Sequence, residues 1–248
     1  WIETVDPLKL HKDAILVSPN STWYFGTDNI GRDIFSRVVE GARISVLVGF
    51  ISPVIIQGIA LLIAIPGAYF GGKTDLILQR YVDAMSSIPT LVLLLALVSV
   101  LTPSLTNVII AIGVTRGPGA SRVIRSQALR VKEEDYVLAA RGLGATNIRI
   151  MARHIFPQVI ATMLVLISVE VPGAIIAEAG LSFLGLGVPQ PAPSWGSMLS
   201  GVGREYLLVA PWIAIAPGIA ISVLVFAFNM FGDTMRDLFD PRLRGARS

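Results

Sequence analysis

Cysteine is absent from this 248-residue chain and charge is scarce, only 15% of residues being Asp, Glu, Lys or Arg. Without thiols there is neither a disulfide framework nor a thiolate metal site. Soluble domains carry roughly 25% charged residues, so the shortage argues against one. There are two histidines, His11 and His154. No His/Asp/Glu cluster has metal-ligand spacing and no serine has a histidine base beside it, so an enzyme reading has little support. The N-terminal segment lacks the apolar core of a signal peptide. A pI near 9.4 and a net charge of +3 come without a basic face interleaved with aromatics, which sets nucleic acid aside. Lysines and arginines in cytoplasmic loops explain the surplus more simply.

What the chain has is apolar length: 53% hydrophobic residues, a mean hydropathy of +0.69, and too uniform a distribution for disorder. Uncharged runs cover Ile44–Phe70 (27 residues), Ala84–Thr115 (32), Ile155–Val169 (15) and Tyr206–Gly232 (27). A bilayer crossing takes about 20 apolar residues at 1.5 Å rise each, so the expected fold class is an all-α polytopic membrane protein. The 32-residue run would make a helix of about 48 Å, well beyond the roughly 30 Å hydrocarbon core. Thr102-Pro103-Ser104 near its middle can turn the chain, which predicts a hairpin of Ile88–Leu101 and Leu105–Ser121. With spans at Ile44–Phe70, Ile155–Gly180 and Leu207–Phe231, about five membrane helices are expected.

Residues 1–43 then form a polar extracytoplasmic segment, 44–232 the membrane domain, 182–206 an outer loop rich in Gly, Pro and Ser, and 233–248 a cytoplasmic tail. Counting Lys and Arg gives 14 inside against 6 outside for the hairpin, and 17 against 3 if Ala84–Thr115 crosses once. Charge alone prefers the single crossing, whereas length and Pro103 favour the hairpin. Both schemes put Arg116–His154 in the cytoplasm.

One pattern misleads. Gly67–Thr74 fits G-x-x-x-x-G-K-[ST], and Leu164–Val169 with Glu170 resembles the strand and acid of a magnesium site. A phosphate loop requires a short strand before it, and a 27-residue apolar run is too long for one. A glycine turn ending a span is expected instead, with Lys73 near lipid headgroups and no ATP hydrolysis in this chain.

The cytoplasmic block holds 8 of the 20 Lys/Arg, from Arg116 to Arg153, and these are expected on a docking face. Arg130–Arg141 is rich in helix formers, Gly142 and Gly144 should break it, and Ala145–His154 should lead back to the membrane. Two short helices joined by glycines, with alanines permitting close approach, make a knob that suits a groove on a partner; a solvated amphipathic loop accounts for the block equally well.

Glu170 lies mid-span beside Pro172-Gly173, which loosens the helix. An ionisable residue at membrane depth is by default a functional one, facing a cavity, so Glu170 is a candidate functional residue. A structural pair with an arginine of a neighbouring subunit is the alternative. Glu178 lies eight residues on, roughly 80° further round a helix, and is expected near the outer edge as a structural or gating residue.

The block resembles the EAA loop of importer permeases of the ABC transporter superfamily: E-A-A, three residues, G, nine residues, then I-x-L-P. Ala139, Ala140, Gly144 and Pro157 match at the right spacing, while Leu138, His154 and Phe156 replace the glutamate, isoleucine and leucine. Further stretches resemble the oligopeptide, dipeptide and nickel permease family. These are Gly26-Thr-Asp-Asn-Ile-Gly-Arg-Asp33, Ser36-Arg37, Gly41-Ala-Arg-Ile-Ser45, Tyr69-Phe-Gly-Gly72, Glu178-Ala-Gly-Leu-Ser-Phe-Leu-Gly-Leu-Gly187, Pro193-Ser-Trp-Gly196, Phe228-Asn-Met-Phe-Gly-Asp233, Arg236-Asp237 and Asp240-Pro-Arg242.

The resemblance implies a type I importer permease fold with six membrane helices, the first upstream of Trp1. It implies a multi-pass protein of a bacterial or archaeal cytoplasmic membrane that moves oligopeptides or dipeptides by alternating access. Its partners would be a second homologous permease, two ATP-binding cassette subunits that hold the ATP and magnesium, an extracytoplasmic substrate-binding protein and membrane lipid. This chain would carry no cofactor or metal. Tyr136, Ala139, Ala140, Arg141, Gly142, Gly144 and Ala145 would couple it to the ATPase, and Glu170 and Glu178 would belong to the path. Nickel or another small solute is the alternative cargo, and an ion-coupled secondary transporter the rival class.

Overall fold

The computed structural model describes residues 5–239, with side chains to Met235. The Asp240-Pro-Arg242 stretch and the rest of the tail lie outside the described residues. All regular elements among them are helical: α1 (Ile34–Phe70), α2 (Gly72–Ser87), α3 (Thr90–Val100), α4 (Leu105–Lys132), α5 (Asp135–Gly142), α6 (Asn147–Ile150), α7 (Phe156–Phe183), α8 (Trp195–Leu199), α9 (Val202–Glu205) and α10 (Trp212–Phe239). A π turn, Met151–Ile155, joins α6 to α7.

Three helical stretches are long and apolar enough to cross a membrane: Ile34–Phe70, Asn147–Phe183 and Trp212–Met235. The pair α2 and α3, bent by 90° at its break, makes a fourth if taken as one unit. The fifth expected span corresponds to α4, which starts at Leu105 as expected but runs on to Lys132, so its second half is too basic to pass by composition.

The long apolar run does break at Thr102-Pro103-Ser104. Ser104 caps α4, its hydroxyl accepting from the Asn107 N–H at 3.1 Å, while the Asn107 amide donates to the Thr102 carbonyl at 2.7 Å. A side-chain cap satisfies a donor that the helix leaves orphaned, so hydroxyls and proline act together as the turn. At the other decoy, Gly67–Phe70 is the last turn of α1, not a loop after a strand. Gly71 and Gly72 reverse the chain at φ +64° and +50°, in the left-handed region that glycine adopts most readily.

The chain divides into two compact units. The first takes in the chain up to Ile51, Leu95–Ala111 and Val171–Phe228. Here Asp33 accepts from the Ser36 N–H and hydroxyl, at 3.0 and 2.6 Å, and so starts α1 ten residues before the expected span. Trp195 donates its indole N–H to the Val38 carbonyl at 2.8 Å. Its ring lies so close to Gly41 that a Cβ there would stand 3.0 Å from the ring. Gly196 sits against the Ala179 backbone with no room for a Cβ. The Pro193-Ser-Trp-Gly196 stretch thus binds the 182–206 loop to α1 and α7, around a core of Ile34, Val38, Trp195, Met198, Ala210 and Ile213.

The second unit comprises Ser52–Leu94, Ile112–Glu170 and the chain from Asn229. Its core joins Ala60, Ala64 and Ala68 of α1 to Ile124 and Ala128 of α4 and to Ile155 and Val159. Gly113 and Gly117, a small-xxx-small pair, let α4 approach α1 at Ile55 and Ile59; membrane helices pack closely through such pairs. Arg125 clasps Asp75 with two hydrogen bonds, Nε to Oδ1 at 2.7 Å and a second from Nη2 to Oδ2. Further along, Arg122 reaches Asp83 at 3.0 Å.

A side chain added at the α1–α4 contact must displace Ile55 or Ile59. Gly113→Leu or Gly117→Leu is expected to cost about 1–3 kcal/mol and to lower the thermal midpoint of the purified protein. Gly119→Ala, helical and with nothing within 4 Å, should not lower the midpoint and should raise it slightly, stabilising by about 0.4–1 kcal/mol.

Candidate functional site

Lys132 is followed by Glu133, Glu134 and Asp135. Acids oppose the helix macrodipole at a C-terminus and suit it at an N-terminus. α4 accordingly stops at Lys132 and α5 begins at Asp135, with Glu134 extended as its N-cap. The single helix expected over Arg130–Arg141 is therefore two pieces.

α5 ends on Gly144, at φ +80°. Its N–H donates to the Arg141 carbonyl at 3.0 Å and the Ala145 N–H to the Ala140 carbonyl at 3.1 Å. This bond pair is a Schellman termination, which favours glycine at the left-handed residue. Gly142 stays inside α5 and has nothing within 4 Å of a built Cβ, so it does not break the helix as expected. Thr146 caps α6, accepting from the Arg149 N–H at 3.4 Å, and the π turn carries the chain into α7.

The underside of this helix pair is fixed. Val137, Ile150 and Ile155 are fully buried in the core with Ala68 and Tyr69. The Tyr69 hydroxyl donates to Asn147 Oδ1 at 2.7 Å, and the Arg141 guanidinium lies 5.4 Å over the Tyr69 ring, within cation–π range. Ala140 and Ala145 are half-buried, whereas Tyr136, Leu138 and Ala139 are exposed. Leu143 and Ile148 stand 89% and 76% exposed at the apex. The outcome is a rigid, capped pair of short helices with apolar residues presented outward.

The basic block does not all lie on that face. Arg122 and Arg125 are paired with acids of α2, and Arg116 meets Glu170 at 2.8 Å. The arginine partner of Glu170 thus comes from this same chain. The pair borders a cavity of about 370 Å³ to which Ser86, Thr90 and Thr115 add hydroxyls. Glu178, in the other unit, is fully buried. The Ser182 hydroxyl donates to its Oε1 at 2.6 Å, with Ser45 and Ser194 its next polar neighbours.

Three features went unread in the sequence. Tyr69 stood inside a quoted family stretch but had no assigned contact. Arg116 was counted only as loop charge, and Gly113/Gly117 was a legible small-xxx-small pair.

The family described as binding-protein-dependent transport system inner membrane component matches residues 58–245, which include the helix pair and both halves of the Arg116–Glu170 contact. The chain belongs to that family. It is 40% identical over 248 residues to the probable D,D-dipeptide transport system permease protein DdpC of Escherichia coli K12, covering all of this chain and 83% of that one. It is also 40% identical over 226 residues to the oligopeptide transport system permease protein OppC of Bacillus subtilis 168, covering 91% and 74%. Among solved structures, an inward-facing form of the MetNI methionine ABC transporter aligns with a TM-score of 0.65 at 17% identity, over 82% of this chain and 96% of that one. An amino acid ABC transporter aligns at 0.56 and 20%, over 85% and 94%. Those likenesses show the fold, which is that of an ABC importer permease. This inner-membrane protein is therefore a transporter permease, of a family of transport components.

The two glycines separate by experiment. Gly144→Ala puts an L side chain in the left-handed region at about 1–2 kcal/mol and should weaken transport by the assembled transporter severalfold. Gly142→Ala, helical and unobstructed, should transport as the wild type does.

Proposed function

We propose that this chain is one of two permease subunits of an ATP-driven peptide importer, and that α5 and α6 seat in an ATPase subunit which holds the ATP and magnesium. The observation that carries the docking role is the helix pair: buried and tied down at Val137, Ile150 and Tyr69, apolar and open at Leu143 and Ile148. A rigid base transmits displacement and an apolar apex supplies the contact. Coupling of this kind needs two states that each ligand contacts differently. Closure of a pair of ATPases around ATP would move two such apices and rock two permeases. The second permease and an extracytoplasmic binding protein complete the assembly. Peptide as cargo is supported by the names of the relatives at 40% identity.

Within the membrane we assign the translocation path to the cavity at Arg116 and Glu170. Glu170, an acid at membrane depth, is costly there unless it is satisfied or serves a function; Arg116, at the membrane end of the cytoplasmic block, pairs with it beside open space among hydroxyls. A peptide's ammonium and carboxylate would compete with the two partners for each other. Glu178, fully buried and accepting from Ser182, has a structural or gating role near the outer edge.

An ATPase and a second permease should co-purify with this chain; purification without them would overturn the reading. Leu143→Asp should weaken docking by about 1–2 kcal/mol, five- to thirty-fold in affinity, with the permease still present in the membrane. Glu170→Gln should cut peptide transport severalfold. In the Glu170→Gln, Arg116→Gln double variant the abundance should recover but transport should not. Unchanged transport in the single variant would remove Glu170 from the path, and nickel uptake in place of peptide uptake would change the cargo.

A further inference from the structure

Where α6 and the π turn pass α1, two hollows meet. One, of about 520 Å³, is apolar and runs along Leu61, Leu62, Ile65 and Pro66 of α1 against Met151 and Phe156. The other, of about 410 Å³, is bordered by Thr146, Arg149 and Arg153. Ile148 and Ala152 border both, so the hollows adjoin across a ridge that is low at Ala152.

We propose that this double hollow binds an anionic phospholipid, with an acyl chain in the apolar part and the phosphate between Arg149 and Arg153. Charge supports this occupant. The two arginines are four residues apart on one helical face, where like charges destabilise each other. Neither forms an ion pair among the described residues, in contrast to Arg116, Arg122 and Arg125. A phosphate removes that repulsion, as basic pockets between membrane helices on the cytoplasmic side do with lipid headgroups.

Depth supports it as well. Leu61, Leu62 and Ile65 lie within the α1 span, out of reach of a water-soluble subunit, whereas Arg149 belongs to the cytoplasmic block. A lipid extends over both regions. The backbone at the ridge is a π turn, a feature frequent at functional sites, and a bound lipid would brace it where α6 enters α7.

The test uses the assembled transporter in detergent, titrated separately with phosphatidylglycerol and phosphatidylcholine and read by native mass spectrometry. Wild type should retain phosphatidylglycerol about 25-fold over phosphatidylcholine, about fivefold for each arginine. The preference should fall about fivefold for each arginine in Arg149→Gln and Arg153→Gln, and persist in the Arg149→Lys, Arg153→Lys double variant. Arg149 lies in α6 and Arg153 outside it, so recovery of the ATPase is measured for each variant. An undiminished preference in the Gln double variant overturns the proposal, and so does one in an assembled Arg153→Gln variant. A second arm places the photo-crosslinker p-benzoylphenylalanine at position 152. Adducts to lipid support the site, and adducts to an ATPase or to the second permease overturn it.

Discussion

A charge left alone among membrane helices costs several kcal/mol, so a chain this apolar has to dispose of each arginine that approaches the hydrocarbon. Arg116 meets Glu170, Arg122 meets Asp83 and Arg125 meets Asp75. These contacts tie α4 to α2 and α7, alongside the apolar core of the second unit. Removing one partner is worse than removing both, because the survivor keeps its desolvation cost without its counter-charge. On the proposed path, the Arg116–Glu170 pair, which borders open space, would exchange partners with a charged solute without stranding either charge.

The coupling segment follows a second rule, rigid beneath and open above. Tyr69 closes α1 and reaches Asn147 at the start of α6, while Arg141 of α5 lies over its ring. One aromatic residue therefore holds both short helices to the end of the first span. The Schellman bonds from Gly144 and Ala145 settle the angle between them without side chains, leaving Leu143 and Ile148 free to face outward. On the proposed docking, motion applied at the apex would pass to α1 and α7, because the cluster under it is packed and would not absorb the displacement locally.

Helices were legible in the sequence because apolar length reports them directly, and the break at Thr102-Pro103-Ser104 was legible because proline and hydroxyls act through local chemistry. Helix ends were less so. α1 starts at Asp33 through a side-chain cap, inside a segment whose charges suggested a loop. Gly142 and Gly144 look alike in sequence, but only one meets a left-handed conformation; that depends on where the preceding helix ends. The candidate site was legible as a stretch and not as a set of contacts. Tyr69 and Asn147 are 78 residues apart, and nothing local in either indicates the other.

Charge placement was the most misleading signal. Counting Lys and Arg located the cytoplasmic block, but it could not separate cations used within the fold from cations offered outward. Arg116, Arg122 and Arg125 bind acids and Arg141 lies over Tyr69, so what the helix pair offers at its apex is apolar. Leu138 at the position of the motif's glutamate fits this picture, since it is exposed and carries no charge. Contact through Leu138, Leu143 and Ile148 depends on apolar burial, which salt screens far less than exposed ion pairs. On the proposed docking, the apex would therefore work by fit, and Arg149 and Arg153, cations without an ion pair among the described residues, would lie beside it at the membrane edge.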